Sequence, residues 1–300
     1  MKKLYAPSTV KIIKDSHDFK FSKSLGQNFL VDKNIVDNIV DGAGIGPEDF
    51  VIEIGPGMGV ITREAALKAE KVVAVEIDKT LIPILEETLS DLGNVQVINQ
   101  DILKTDVNEI ISSCSGGKTG KNVKIIGNLP YYITTPIIMK ILEDGVPADS
   151  ITIMMQKEVA ERIDAAPGTK DYGSLSVAVQ YYCDTKIITN VPKEAFMPQP
   201  KVGSTVLRLD IRQQRKVELL DKDSFFQCVK AGFGQRRKTL SNSLMGVSGI
   251  TKEIVKEALD AAGIDAGRRA ETLDLYEFAS LANEVYLRVS KERGVKNGKV

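Results

Sequence analysis

From Phe50 onward, short apolar runs alternate with stretches of helical periodicity. "FVIEIGPGMG" is an apolar run ending in glycines, "VITREAALKAE" is rich in helix formers, and "KVVAVEID" is a second apolar run. "LIPILEETLSDLG" reads as a helix closed by Gly93. "NVQVINQD", "NVKIIGNLP" and "SITIMMQ" supply three more strand-like runs, with helical stretches at "TPIIMKILEDG" and "KEVAERIDAA". Such alternation predicts βαβ units and a doubly wound, mostly parallel sheet covered on both faces, completed by "TKIITNVP" and "STVLRLDI".

After about Arg212 the texture changes. "DSFFQCVKAGF", "TKEIVKEALDAAG" and "LYEFASLANEVYLRV" repeat their apolar positions with a period near 3.6, and no strand-like run separates them. The pattern predicts an α/β domain over residues 1–213, which includes a basic N-terminal arm, and a smaller all-helical domain over 214–300.

Composition narrows the chemistry. With 300 residues and 43% hydrophobic content the chain can bury a sizeable core. No apolar run is long enough to span a bilayer, and charges interrupt the N-terminus too often for a signal peptide, so a cytoplasmic protein without membrane contact is expected. Cys114, Cys183 and Cys228 are widely spaced and the one histidine, His17, lies in the charged arm. No metal site is therefore expected, mechanisms that need a positioned imidazole are disfavoured, and His17 reads as a solvated surface residue. Net charge is zero, yet residues 191–300 carry 20 Lys+Arg against 14 Asp+Glu and residues 1–33 carry 7 against 3, which leaves the middle acidic. Basic flanks suit a polyanionic partner, although the counts alone do not say how the charges cluster.

"EIGPGMG" places Gly55, Gly57 and Gly59 at the end of the first strand of the alternating region, where a doubly wound sheet binds a nucleotide. A dinucleotide site would prefer a third glycine where Val60 stands. Glu76 ends the next strand, the position from which a carboxylate takes ribose hydroxyls. An adenosine-containing ligand follows, with S-adenosylmethionine ahead of NAD. Asp101 of "INQD" could accept from an adenine amino group or cap a helix over "DILKTDV". "GGKTGK" lacks the glycine a phosphate loop would need at Ser112 and reads as a surface turn.

"GNLPYYI" suggests the reaction. The exocyclic nitrogen of adenine is a poor nucleophile because its lone pair is delocalised into the ring. Two acceptors aimed at its N–H bonds, the side-chain oxygen of Asn128 and the carbonyl of Leu129, would stabilise the tetrahedral nitrogen that develops during attack. Pro130 stiffens the turn and Tyr131 offers a ring on which a flipped base can stack.

An ordered set of segments, "LGQNFLVD", "EIGPGMG", "VEID", "QDIL", "GNLPYYI", "MQKEVAERI", "YGSLSV", "FMPQPKVGS" and "FGQRRKTLSN", resembles the ribosomal RNA adenine N6,N6-dimethyltransferases, and among them the small-subunit type. The resemblance covers most of the chain. It implies a Rossmann-like S-adenosylmethionine-dependent methyltransferase fold with a helical RNA-binding domain, acting as a monomer on two adjacent adenines near the 3′ end of small-subunit (16S) ribosomal RNA or on a pre-30S particle. By position it implies that Asn28, Leu30, Gly55, Glu76, Asp101 and Asn128 hold the methyl donor, and that Phe196 packs on the target adenine opposite Tyr131. Arg236, Arg237 and Lys238 would touch RNA phosphates or project into solvent. The rival readings are a non-catalytic RNA-binding assembly factor, against which the intact "NLPY" and Glu76 argue, a large-subunit RNA methylase, whose kind resembles the "QRRKTL" region poorly, and a DNA adenine methylase, which usually carries an acid in place of Asn128.

Overall fold

A computed structural model describes residues 4–22, 25–118 and 120–297. In chain order its elements are α1 (Pro7–Ser16), β1 (Phe29–Leu30), α2 (Lys33–Gly42), β2 (Phe50–Ile54), α3 (Val60–Ala66), β3 (Lys71–Glu76), α4 (Ile82–Thr88), β4 (Val95–Asn99), α5 (Val107–Cys114), β5 (Gly120–Asn128) and α6 (Thr134–Glu143). There follow β6 (Ala148–Gln156), α7 (Lys157–Asp164), α8 (Ser174–Tyr182), β7 (Cys183–Val191), β8 (Phe196–Met197), β9 (Ser204–Ile211), α9 (Lys222–Gly234), α10 (Leu240–Ser243), α11 (Lys252–Ala261) and α12 (Leu275–Asn297).

The chain divides into two compact units, Met1–Ala160 with Asp184–Ile211, and Glu161–Cys183 with Arg212–Val300. The first is built on a seven-stranded sheet of order β4-β3-β2-β5-β6-β9-β7. Strands β4 to β6 run parallel and β9 is antiparallel to β6. Every residue of β2 is buried, as expected of a strand covered on both faces. Between β2 and β5 the strand order reverses direction, and a crevice opens there at the carboxyl ends of the strands.

A separate two-stranded antiparallel ribbon, β1 with β8, accompanies this sheet. It pairs Phe29 with Met197 and Leu30 with Phe196, so it ties the N-terminal arm to a segment more than 160 residues away. The rings of Phe19, Phe21 and Phe29 pack at 5.5–5.9 Å and anchor the arm. The arm also contains α1, whose Val10 and Ile13 are buried. His17 follows as its C-cap, half-buried at the surface with Nε2 2.8 Å from the exposed Glu87 Oε2, so the expected surface residue also has a partner there.

The helical unit takes in residues 161–183, which sequence texture groups with the α/β region. Aromatic packing accounts for this. Tyr181 lies against Phe225 and Phe226 at 5.4 and 5.9 Å, and Tyr172 against Phe233 at 5.8 Å. Arg236 donates to the carbonyls of Lys170 and Tyr172 at 2.7 and 3.5 Å. Neither partner lies near these residues in sequence, so periodicity could not reveal them.

Two local expectations are corrected. The α4 helix ends at Thr88, capped through the backbone of Leu89, and Gly93 lies beyond it. Residues 101–105 form turns rather than a helix, and α5 starts at Val107 under the side chain of Asp106, which accepts from Asn108 N and Glu109 N. The second carboxylate of "DILKTD" is the one followed by a helix-compatible run. Gly116 and Gly117 have φ of +67° and +90°, as a turn requires, and residue 119 of "GGKTGK" lies outside the described residues.

Candidate active site

The carboxyl end of β2 leads into Gly55, Gly57 and Gly59, with φ of +68°, +61° and +84°, before α3 begins at Val60. Gly57 is required twice over. Its φ disfavours a side chain, and a Cβ there would stand 2.9 Å from the Phe29 ring, so the arm closes directly onto the glycine turn. At the end of β3, Glu76 is 5% exposed. Its Oε1 accepts from Asp78 N at 2.8 Å and its Oε2 from Gly57 N at 3.3 Å, so one carboxyl bridges the turn after β3 and the glycine turn. Burial pushes that carboxyl up to about 7, against the opposing pull of those backbone N–H groups.

Glu53, one residue before the end of β2, is fully buried, and its Oε2 has no hydrogen-bond partner among the described residues. Burial pushes it up to about 8, with the Thr62 hydroxyl opposing and the Glu76 charge adding. A neutral acid therefore sits under the cleft at neutral pH. Asp101 accepts from Leu103 N at 3.0 Å and pairs with Lys104 at 3.6 Å, so it caps a turn at the cleft rather than a helix.

The facing wall begins at the end of β5. A Cβ on Gly127 would meet the Ile54 carbonyl at 2.8 Å, so only glycine lets the ends of β5 and β2 approach this closely. Asn128 follows. Its Nδ2 donates to the carbonyl of Asn28 at 3.0 Å, while Asn28 Nδ2 donates to the Gly26 carbonyl at 3.0 Å. With Nδ2 committed to the arm, Oδ1 is the atom of the Asn128 amide left to accept. Leu129 is 3% exposed and Pro130 opens a turn, its carbonyl accepting from Ile133 N at 3.1 Å and from Thr134 Oγ1 at 3.0 Å. The Tyr131 hydroxyl is 2.8 Å from Ser204 Oγ. Phe196 is 3% exposed and held in the ribbon opposite Leu30, so it serves the core as well as the cleft.

Asn28, Leu30, Gly55, Glu76, Asp101, Asn128, Leu129, Tyr131 and Phe196 all line one cleft of about 1110 Å³ including its open mouth. The structure adds Gln27, Phe29, Glu53 and Tyr132 to its walls. Gln27 ties the arm to the end of β3, with Nε2 2.7 Å from Asp78 Oδ2. It stands within "LGQNFLVD", and its partner only becomes visible once the arm is docked. Glu53 was legible as an acid inside an apolar run, a polar group that burial would make expensive. No cluster of His, Cys, Asp and Glu able to hold a metal occurs among the described residues, and no described helix is long and apolar enough to cross a membrane.

The cleft fits S-adenosylmethionine on three observations. The glycine turn lines the cleft with its backbone free of side chains at Gly55 and Gly57, a buried carboxyl stands at the end of β3 where doubly wound sheets take a ribose, and polar groups line a mostly apolar crevice at the strand switch point.

Comparison with known proteins gives a consistent result. The family model described as ribosomal RNA adenine dimethylase matches residues 18–285. "Ribosomal RNA small subunit methyltransferase A" of Clostridioides difficile (strain 630) is 53% identical over 292 residues, 97% of this chain and 100% of that protein. The protein of the same description from Alkaliphilus metalliredigens (strain QYMF) is 55% identical over 289 residues, 96% of this chain and 100% of its own. Among solved structures, a dimethyladenosine transferase from Plasmodium falciparum superposes with a TM-score of 0.73 at 25% identity, covering 88% of this chain and 98% of that one. The 23S rRNA methyltransferase ErmE gives 0.66 at 28% identity, covering 86% and 100%.

Proposed function

The chain belongs to the ribosomal RNA adenine dimethylase family, and on that premise we propose that its cleft transfers methyl groups from S-adenosylmethionine to N6 of two adjacent adenines near the 3′ end of small-subunit (16S) ribosomal RNA. The observation that carries this reading is the Asn128–Asn28 hydrogen bond, which orients an acceptor oxygen at the junction of the glycine-turn cleft and an aromatic wall.

S-adenosylmethionine supplies an electrophilic methyl group on a sulfonium. Glu76 accepts from the ribose hydroxyls, Asp101 takes the adenine amino group of the donor, and Asn28, Leu30 and Gly55 form the surrounding wall. Tyr131 and Phe196 hold the flipped target base between them, and the tether from Tyr131 to Ser204 fixes one ring of that clamp. Asn128 Oδ1 and the Leu129 carbonyl accept the two N6 hydrogens and localise the nitrogen lone pair as it turns tetrahedral. As the new C–N bond forms the methyl–sulfur bond would break, with S-adenosylhomocysteine as the leaving group; the alkylated nitrogen would become acidic and lose its proton to solvent, so no side-chain base is needed in the attack. The one histidine of the chain, His17, is not among the residues that line the cleft.

The helical unit and the basic arm bind the RNA backbone, and the enzyme works as a cytoplasmic monomer on the naked RNA or on an assembling 30S particle. Incubation with labelled S-adenosylmethionine and unmethylated small subunits, followed by mapping of modified nucleotides, tests the proposal. Two neighbouring dimethyladenosines are expected. RNA binding without label would favour a non-catalytic assembly factor, and label in large-subunit RNA would reassign the substrate.

A further inference from the structure

Two consecutive tyrosines stand in the turn at the mouth of the cleft, and they are held very differently. Tyr131 is tied to Ser204, whereas Tyr132 is 60% exposed, more than any other aromatic side chain among the described residues. A lone exposed aromatic is ordinary on a protein surface. This one is not placed at random. It lines the cleft one residue beyond the ring assigned to the target base, on a turn fixed by two hydrogen bonds to the Pro130 carbonyl. Its ring stands next to Gly26 of the arm, where an added Cβ would lie 3.7 Å from Tyr132 Cε1. Most of the ring is open to solvent, on a turn closed by hydrogen bonds.

Flipping a base out of its strand strips its neighbour of a stacking partner and leaves one π face bare. We propose that Tyr132 is the positioning residue for that neighbour, a platform on which the base adjacent to the target adenine stacks. This inference rests on the RNA-adenine reading of the cleft. Stacking engages the face of a base and not its N6 edge, so the platform accepts an adenine whether its amino group carries hydrogens or methyl groups. One cleft can then treat two neighbouring adenines in succession, because the base outside the pocket is held equally well before and after its own modification.

The test uses the full chain with S-adenosylhomocysteine and an RNA segment in which 2-aminopurine replaces the adenine next to the target. Wild-type protein and Tyr132→Phe should quench the probe on binding. Tyr132→Ala should leave it bright and weaken RNA binding on the order of tenfold, with S-adenosylhomocysteine affinity unchanged. Equal quenching by Tyr132→Ala and wild type overturns the proposal, as does RNA binding by wild type without any quenching; both leave the RNA reading standing. Equal loss in Tyr132→Phe and Tyr132→Ala together with lost S-adenosylhomocysteine affinity would make Tyr132 a structural support of the turn and also overturn it. If wild type neither binds the RNA nor methylates any adenine, the RNA reading itself fails and takes this inference with it.

Discussion

The two walls of the cleft are made in opposite ways. The wall with the glycine turn, Glu76 and Asp101 comes from one continuous stretch, residues 53–101, in which each strand delivers its functional residue at its carboxyl end. The facing wall is assembled from three distant segments, residues 25–30, 128–133 and Phe196, joined by the β1–β8 ribbon and by the Asn128–Asn28 hydrogen bond. The contiguous wall carries the proposed contacts to the donor's ribose and adenine, and Asn28 and Leu30 of the arm close over it. The assembled wall orients the Asn128 amide through its hydrogen bond to the arm. If the proposed roles hold, loss of Glu76 should act mainly on binding and loss of Asn128 mainly on rate.

Breaking the assembled wall should have the largest effect. Asn128→Ala removes the oriented acceptor and is expected to lower turnover by something on the order of 10²–10³, with S-adenosylhomocysteine affinity nearly unchanged, as rate assays and calorimetry can check. Glu76→Ala acts on the contiguous wall. Loss of a charge-assisted contact to ribose, together with the brace on Gly57 N, should weaken S-adenosylhomocysteine binding by roughly 1.5–3 kcal/mol, about ten- to a hundredfold.

Acidity sharpens the same contrast. Only the ionised Glu76 offers both oxygens to the two ribose hydroxyls, and burial raises its pKa to about 7, so cofactor affinity should fall as pH drops below about 7. In the unliganded protein, Glu53 and Glu76 are both raised above the 4.5 they would show unfolded. The folded state then binds more protons than the unfolded one, and stability should decrease as pH rises from about 4.5 through 7 and 8. Glu53→Gln should remove part of that slope, raising stability at pH 9 by on the order of a few kcal/mol and changing little at pH 4, measured by denaturant unfolding.

The smallest effect is expected outside the cleft. Arg237 is exposed, and Arg237→Gln should flatten the salt dependence of RNA binding by about 0.7–0.9 in log–log slope if it meets one phosphate. Arg236→Gln should instead lower the melting temperature, because Arg236 spans the carbonyls of Lys170 and Tyr172.

Legibility in the sequence follows the same division. Gly55, Glu76 and Asp101 could be placed because strand ends and glycine turns leave local signatures a fixed distance apart. Asn128, Leu129 and Tyr131 were legible as a turn with acceptors and a ring, but the bond that orients Asn128 spans 100 residues and has no local trace. Asn28, Leu30 and Phe196 came only from family resemblance, since a two-residue ribbon is too short to show any alternation. The α1 helix leaves no clear apolar face in the sequence because Val10 and Ile13 are buried while Ile12 beside them is 67% exposed. The placement of residues 161–183 depended on aromatic partners beyond residue 220.

The separation of binding from reactivity is tested most directly by one series, the single-turnover methylation rate of unmethylated small subunits as a function of S-adenosylmethionine concentration for wild type, Glu76→Ala and Asn128→Ala. Glu76→Ala should need roughly ten- to a hundredfold more cofactor and then approach the wild-type plateau, while Asn128→Ala should saturate at the wild-type concentration with a plateau lower by on the order of 10²–10³. A Glu76→Ala plateau that stays equally low at saturation, or an Asn128→Ala plateau near wild type, would contradict it.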